Sequence, residues 1–289
     1  MKNADRRTLA AMDNWNPHFA AQSPLFEHLG GFSSALAGGS WPGREQLQEL
    51  FDIADLRTAS ERRLRLVEPW GADGYEWRIF ERGELEFREG NWHDLFNALT
   101  WLVFPKSKAA LNARHHAALS GDSACGPHRR GAVRDALTLF DESGVIVASA
   151  DPGMLQMIRE FLWKPLFWEH RDAVMSRMHF LPFGHALCEK ALTPYVGMTG
   201  HGLLLEIDSG FSVLPPAERI ARIDRQVAQL LGDPGFLSGP RDLSPVPVLG
   251  VPGWHAGNED AEFYDDSRYF RPGRGRPAVG GPDRSGKST

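Results

Sequence analysis

Three features of the sequence predict an α+β fold: more segments with helical than with strand periodicity, one hairpin signal, and irregular ends rich in Gly, Pro and aromatic residues. The hairpin, Val133 to Ala148, makes the small sheet mainly antiparallel and leaves several helices to flank it. The expected organisation is an irregular arm over 1–45, a single α+β domain over 46–271 and a disordered tail over 272–289. From Arg271 onward the chain is Gly, Pro, Arg and Ser, with almost nothing apolar to bury.

Each element follows from local pattern. Trp15, Phe19, Phe26, Phe32 and Trp41 give the arm large apolar side chains with which to anchor itself. Arg44 to Leu56 reads as a helix, because Leu47, Leu50, Phe51 and Ala54 recur at helical spacing. From Leu64 to Phe87 short strands and turns are expected: Leu64 and Leu66 alternate with Arg, and Gly71, Gly74 and Gly83 punctuate. Two helices, Trp92 to Phe104 and Lys106 to Leu119, are separated by Pro105. Gly121 to Gly131 is loop-like. In the hairpin, Asp141-Glu142-Ser143-Gly144 supplies the turn between Leu137 to Phe140 and Val145 to Val147. Pro152 opens a helix over Met154 to Arg177, Met178 to Phe183 is a strand, His185 to Leu192 a short helix and Leu203 to Ile207 a strand. Pro215 to Leu231 is amphipathic through Ile220, Ile223, Val227, Leu230 and Leu231. The rings between Trp254 and Phe270 fix a C-terminal arm onto the domain, with an aromatic ligand platform as the alternative.

Composition removes several function classes. A chain of 289 residues, 42% of them hydrophobic, can bury a sizeable core. With 32 Lys+Arg against 37 Asp+Glu the net charge is −5, so no global basic field favours nucleic acid. Two cysteines, Cys125 and Cys188, make no disulfide framework and fit a reducing compartment. No apolar signal segment follows the charged start, and the most apolar stretch, Leu95 to Phe104, is far short of the roughly 20 residues of a membrane span. A cytoplasmic protein without membrane contact is expected. The C-terminal Gly281 to Ser288 satisfies G-x-x-x-x-G-K-[ST], but no strand delivers it and no helix follows, so it is not expected to bind nucleotide.

The chemistry concentrates in the two helices around Pro105. If they fold back antiparallel, His93, Asp94 and Asn97 meet Asn112, His115 and His116. Imidazoles and carboxylates so arranged can act as acid and base or bind a metal, with His93, His115, His116 and Asp135 as candidate ligands for a divalent ion. The plainer reading is that Asn91 and Asp94 serve the helix terminus and the histidines are satisfied core or surface groups. Lys106, Lys108, Arg129 and Arg134 could hold an anion, and Asp135 could join the histidines or pair with Arg134. Asp141 and Glu142 offer a carboxylate pair, but ordinary turn chemistry needs the same residues and is favoured. His185 and Glu189, at i and i+4 beside Cys188, form a ligand face or simply a helix start after Gly184, the second being favoured.

Several blocks carry a family resemblance: Asn91 to Leu99 with Trp101, Phe104-Pro105-Lys106 and Lys108 to Asn112 with His115, then Arg134 to Thr138 with Asp141 to Gly144. Phe183 to Ala186 with Glu189-Lys190, and Pro247 to Trp254, extend it. The chain resembles, over roughly 70–272, the bacterial domain of unknown function 3025. That resemblance implies a soluble bacterial protein and supplies no reaction. The residues themselves suggest a hydrolase acting on a phosphorylated or anionic substrate through a His/Asp/Arg cluster. In that reading Asp94 and Asp135 orient groups or bind metal. The alternative is a non-catalytic protein binding a ligand or partner through the same polar helix pair.

Overall fold

A computed structural model describes residues 15–32, 34–71, 74–120 and 127–273, with backbone alone at 120 and 127–130. The tail, the P-loop-like segment and Cys125 lie outside them. The elements are α1 (Arg44–Ile53), β1 (Arg65–Val67), α2 (Tyr75–Arg82), β2 (Glu84–Glu86), α3 (Trp92–Val103), α4 (Pro105–Ser120) and α5 (Pro127–Ser143). Then come β3 (Gly144–Ser149), α6 (Pro152–Arg159), α7 (Arg171–Arg177), β4 (Met178–Pro182), α8 (His185–Ala191), β5 (Thr199–Glu206), α9 (Pro216–Gly232) and β6 (Ser244–Pro247).

The fold is α+β, as expected, but its strands are mixed. One sheet has the order β4-β3-β5-β6, in which β3 pairs antiparallel with β4 and parallel with β5, and β5 pairs antiparallel with β6. A second sheet, β1 with β2, is parallel. The expected mainly antiparallel sheet came from the hairpin at Val133 to Ala148, and that hairpin does not exist. Its first half is the end of α5, which leads into β3 with no loop. Ala136, Leu137 and Phe140 are fully buried at helical spacing, so the run Leu137 to Phe140, apolar on both faces, was ambiguous in sequence and is settled by packing. β3 is buried along its whole length, as a central strand covered on both faces must be.

Three other segments differ from expectation, one being the loop-like Gly121 to Gly131, which is helical from Pro127. Gly74 and Gly83, read as turn punctuation, have positive φ and bound α2, a helix between β1 and β2 that the pattern did not show. The long helix expected from Met154 to Arg177 is broken into α6, a π-turn over Pro165–Glu169, and α7.

α3 is the central helix. Trp92, Leu95, Phe96 and Leu99 are buried, and so are Asp94, Asn97 and Thr100, so its polar face also points into protein. The N-terminal arm is pinned by its rings as expected: Trp15 stacks on Trp92 at 5.2 Å and Phe26 on Phe96 at 5.6 Å. At the other end, Tyr269 donates its hydroxyl to Met198 O (2.7 Å) and accepts from Leu249 N (2.9 Å), fixing the C-terminal arm. No helix among the described residues is long and apolar enough to cross a membrane.

Candidate functional site

α3 starts where Asn91 Oδ1 accepts from Asp94 N at 3.0 Å. This start fixes the first turn and points His93 at α8. There His93 Nδ1 donates to Glu189 Oε2 (3.1 Å), and its Nε2 lies 3.0 Å from His185 Nε2, the two rings standing edge to face. His185 is buried, and its Nδ1 faces the end of α5, 3.9 Å from Asp141 Oδ2, without a regular hydrogen bond. Glu142 Oε1 stands 3.7 Å from His185 Nε2. One donor atom each from His93, His185 and Glu142 falls within 4.8 Å of the others.

This convergence depends on a close approach of backbones. A Cβ on Gly184 would lie 2.4 Å from Ser143 Cα and 2.5 Å from Glu142 O. Gly184 N and Phe183 N both donate to Gly144 O at 2.9 Å. Only glycine therefore lets the start of α8 press against the end of α5. Gly184→Ala should cost about 1 to 3 kcal/mol through this overpacking and separate His185 from Glu142. An unchanged urea midpoint for that variant would refute the requirement.

The three groups open into a cleft of about 220 Å³ whose other walls come from α2, α4 and β2, including Tyr75, Glu76, Glu86, Arg88 and His115. Beneath it, buried Lys108 donates to Asp141 Oδ1 (2.5 Å) and Asn97 Oδ1 (2.9 Å), and Asn97 Nδ2 donates to the Tyr75 hydroxyl (2.9 Å). Asn112 Nδ2 donates to Glu76 Oε2 at 2.7 Å. Glu189 beside His93 holds that imidazole protonated to higher pH than usual, against the opposing effect of its partial burial. Burial pushes His185 down to about 3, so it is neutral. Burial raises the Glu76 carboxyl, and burial together with neighbouring Asp141 raises that of Glu142. Asp141 is driven upward by burial but ends below its ordinary value because the Lys108 ammonium faces it and donates to it.

The expected cluster is therefore assembled in part and extended. His93, Asp94, Asn97 and His115 line one cleft, with Asn112 behind Glu76. His116 is not among them: it pairs with Glu81 (3.1 Å) and stacks on Phe80, because it lies a hundred degrees around α4 from His115. Asp94 orients no reacting group. Its carboxylate accepts three bonds of 2.8 Å, from the backbone N, Nε and Nη2 of Arg88. Lys108 is consumed by Asp141. Lys106 is exposed, and its backbone N–H, with that of Ser107, is capped by the buried carboxylate of Asp224 on α9. Arg134 and Asp135 are exposed on α5 and line neither cleft, so neither joins the histidines; the side chain of Arg129 lies outside the described part.

His185, Glu189 and Glu142 join the cluster: the helix of His185 and Glu189 does start after Gly184, as the plainer reading has it, whereas Glu142 lies at the end of α5 and not in a hairpin turn. The i, i+4 spacing of His185 and Glu189 was their signal in the sequence. Glu142 was hidden by its turn-like context. Cys188, beside them, is buried and pushed up to about 12 by desolvation, which leaves it an unreactive thiol.

A larger cleft of about 400 Å³ lies elsewhere, between Val174, Phe180, Phe211, Ile223 and Trp254. Its walls are mainly apolar, and its histidines, His28 and His179, are held neutral by burial. Reactive groups converge only in the smaller one, and size alone does not select a site.

In comparison with known proteins, the model of the family described as "Protein of unknown function (DUF3025)" matches residues 66–274. Neither the curated proteins nor the solved structures gave a match.

Proposed function

We infer the function of this chain, which belongs to the DUF3025 family of proteins of unknown function, from its cleft, and propose a hydrolase acting on a small phosphorylated or otherwise anionic substrate. The observation that carries this reading is the convergence of His93, His185 and Glu142, with Glu189 and Asp141 behind the two imidazoles. A water molecule at their meeting point would face two ring nitrogens, that of His93 oriented from behind by Glu189 and that of His185 with Asp141 3.9 Å behind it, an arrangement that can turn water into a nucleophile. Glu76, whose proton is retained to higher pH by burial, and His115 line the same cleft and are placed to protonate a leaving group. Of the cations, Arg88 at the mouth, its side chain 57% exposed, is the one placed to receive the anionic end.

His93→Ala should lower kcat/KM for a responsive phosphate ester or carboxylic ester by about a hundred- to ten-thousand-fold, the usual weight of a positioned acid–base group. A panel of such esters measured with the purified chain and with this variant tests it. Turnover that survives the substitution unchanged would remove His93 from the reaction. The second reading, a non-catalytic binding protein, is supported by the pairing of Arg88 with Asp94 at the cleft and of Lys108 with Asp141 beneath it, which makes a rigid polar cradle. Saturable binding of a ligand that is never turned over would favour it.

A further inference from the structure

We propose that the point between His93 Nε2, His185 Nε2 and Glu142 Oε1 is a binding site for one divalent transition-metal ion of the zinc type, open to the cleft at its remaining position. The proposal uses the cleft of the hydrolase reading but does not depend on hydrolysis, since a binding protein could hold the same ion.

Spacing is the first argument. Ligand atoms about 2.0 to 2.1 Å from a zinc ion stand about 2.8 to 3.4 Å apart when their directions differ by 90 to 109 degrees. The two Nε2 atoms are 3.0 Å apart, and Glu142 Oε1 is 3.7 Å from His185 Nε2. The remaining edge, within 4.8 Å, closes by rotation of the Glu142 side chain, which is 43% exposed. Two imidazoles and one carboxylate select a first-row transition metal over magnesium or calcium, which prefer all-oxygen shells.

Tautomers supply the second argument. A carboxylate only accepts, so His93 carries its hydrogen on Nδ1, toward Glu189, and turns a bare Nε2 toward His185. Without a cation, His185 would have to donate from Nε2 to His93. Its buried Nδ1 lone pair would then face the Asp141 carboxylate 3.9 Å away with no donor of its own, Lys108 serving only the carboxylate's other oxygen. A metal ion at the two Nε2 atoms allows the other tautomer, in which Nδ1–H of His185 points at Asp141 as Nδ1–H of His93 points at Glu189. Each metal-bound imidazole then has a carboxylate behind it, the usual outer shell of a histidine ligand.

Charge is the third. Glu76, Glu86, Asp94, Asp141 and Glu142 line the cleft, whereas Arg88 and Lys108 are already paired with Asp94 and Asp141. A bound dication offsets this excess of carboxylates and supplies the pole that an anionic substrate needs at the floor.

The test is metal binding by the full chain, stripped with chelator and titrated at pH 7.5 with zinc chloride by calorimetry, and with cobalt(II) followed by visible absorption. One ion per chain is expected. Glu189→Gln should weaken binding by about 10- to 100-fold, as loss of an outer-shell partner does, and His93→Ala and Glu142→Gln by more. His116→Ala, outside the cleft, should bind as the parent does. Thermal unfolding without metal shows that each variant is folded; His93 and Glu142 are partly exposed, so they decide the case if buried His185 cannot be replaced. A folded parent chain that takes up no stoichiometric zinc or cobalt overturns the proposal, leaving a proton between the rings. Equal binding by His93→Ala and Glu142→Gln also overturns it. Metal bound at this site without turnover of any ester leaves the proposal standing and removes the hydrolase; turnover by a chain that takes up neither zinc nor cobalt keeps the hydrolase and overturns the proposal.

Discussion

Replacing Lys108 by methionine should lower the stability of the folded chain by about 3 to 5 kcal/mol, the cost of breaking a buried ion pair from one side. Lys108 has 4% of its side chain exposed and Asp141 14%, and the ammonium also serves Asn97 and lies 5.6 Å over the Trp101 ring. Methionine fills much of the same volume. The cost therefore comes from the Asp141 carboxylate left in a low-dielectric environment without its partner. Lys108→Met with Asp141→Asn removes both charges and should recover most of the loss, because the asymmetry disappears. Urea unfolding of the two single variants and the double variant measures this. A single variant within 1 kcal/mol of the parent, or a double variant as unstable as the two singles combined, would contradict the buried pair. The same result bears on the cleft, since Asp141 stands behind His185.

Acid should destabilise the chain through His28, which lines the larger cleft and not the candidate site. Burial pushes its pKa from 6.5 to about 4, a hydrogen bond to the Leu25 backbone opposing only part of the shift. The folded-state value is depressed and the group is neutral when folded. Below about pH 6.5 the unfolded chain takes up a proton that the folded chain refuses. The contribution of His28 is therefore fully present above pH 6.5 and is lost as pH falls toward 4, at about 1.4 kcal/mol per pH unit and about 3 kcal/mol in all. Urea midpoints of the parent and of His28→Gln between pH 7.5 and pH 4 would show the difference: whatever the variant's starting stability, its decline should be shallower by that slope. Parallel declines would show that His28 titrates normally in the folded chain.

Much of the molecule was legible because its signals are local. The Trp92 to Val103 helix announces itself by an apolar stripe and Asn91 as its cap, α9 by its amphipathic spacing, and the two arms by rings that need a surface to cover. Where a segment is apolar on both faces, as at Leu137 to Phe140, period cannot separate a buried strand from a buried helix, and the hairpin was misread. Where a glycine pair bounds a short helix, as at Gly74 and Gly83, turn chemistry and capping chemistry use the same residue. The candidate site was half legible for the same reason. His93 and His115 stood out by helical spacing. Glu142 sat in a context that ordinary turn chemistry would also produce, and Asp94 looked chemical although Arg88 saturates it.

By itself the sequence determined the fold class, the anchoring of the two aromatic arms within the described residues and the family, since each rests on periodicity, composition or a contiguous block. Only the tertiary structure decided which polar groups meet. His93 lies 92 positions from His185 and 96 from Glu189, and no local pattern spans that separation. The packing of α3 on α8, and of α8 on the end of α5 through the bare backbone of Gly184, brings them within hydrogen-bond distance. The same packing spends Lys108 and Asp94 on internal partners. Burial then fixes their charges: a residue type announces what chemistry is available, but its neighbours in space determine whether that group is neutral, paired or free to react.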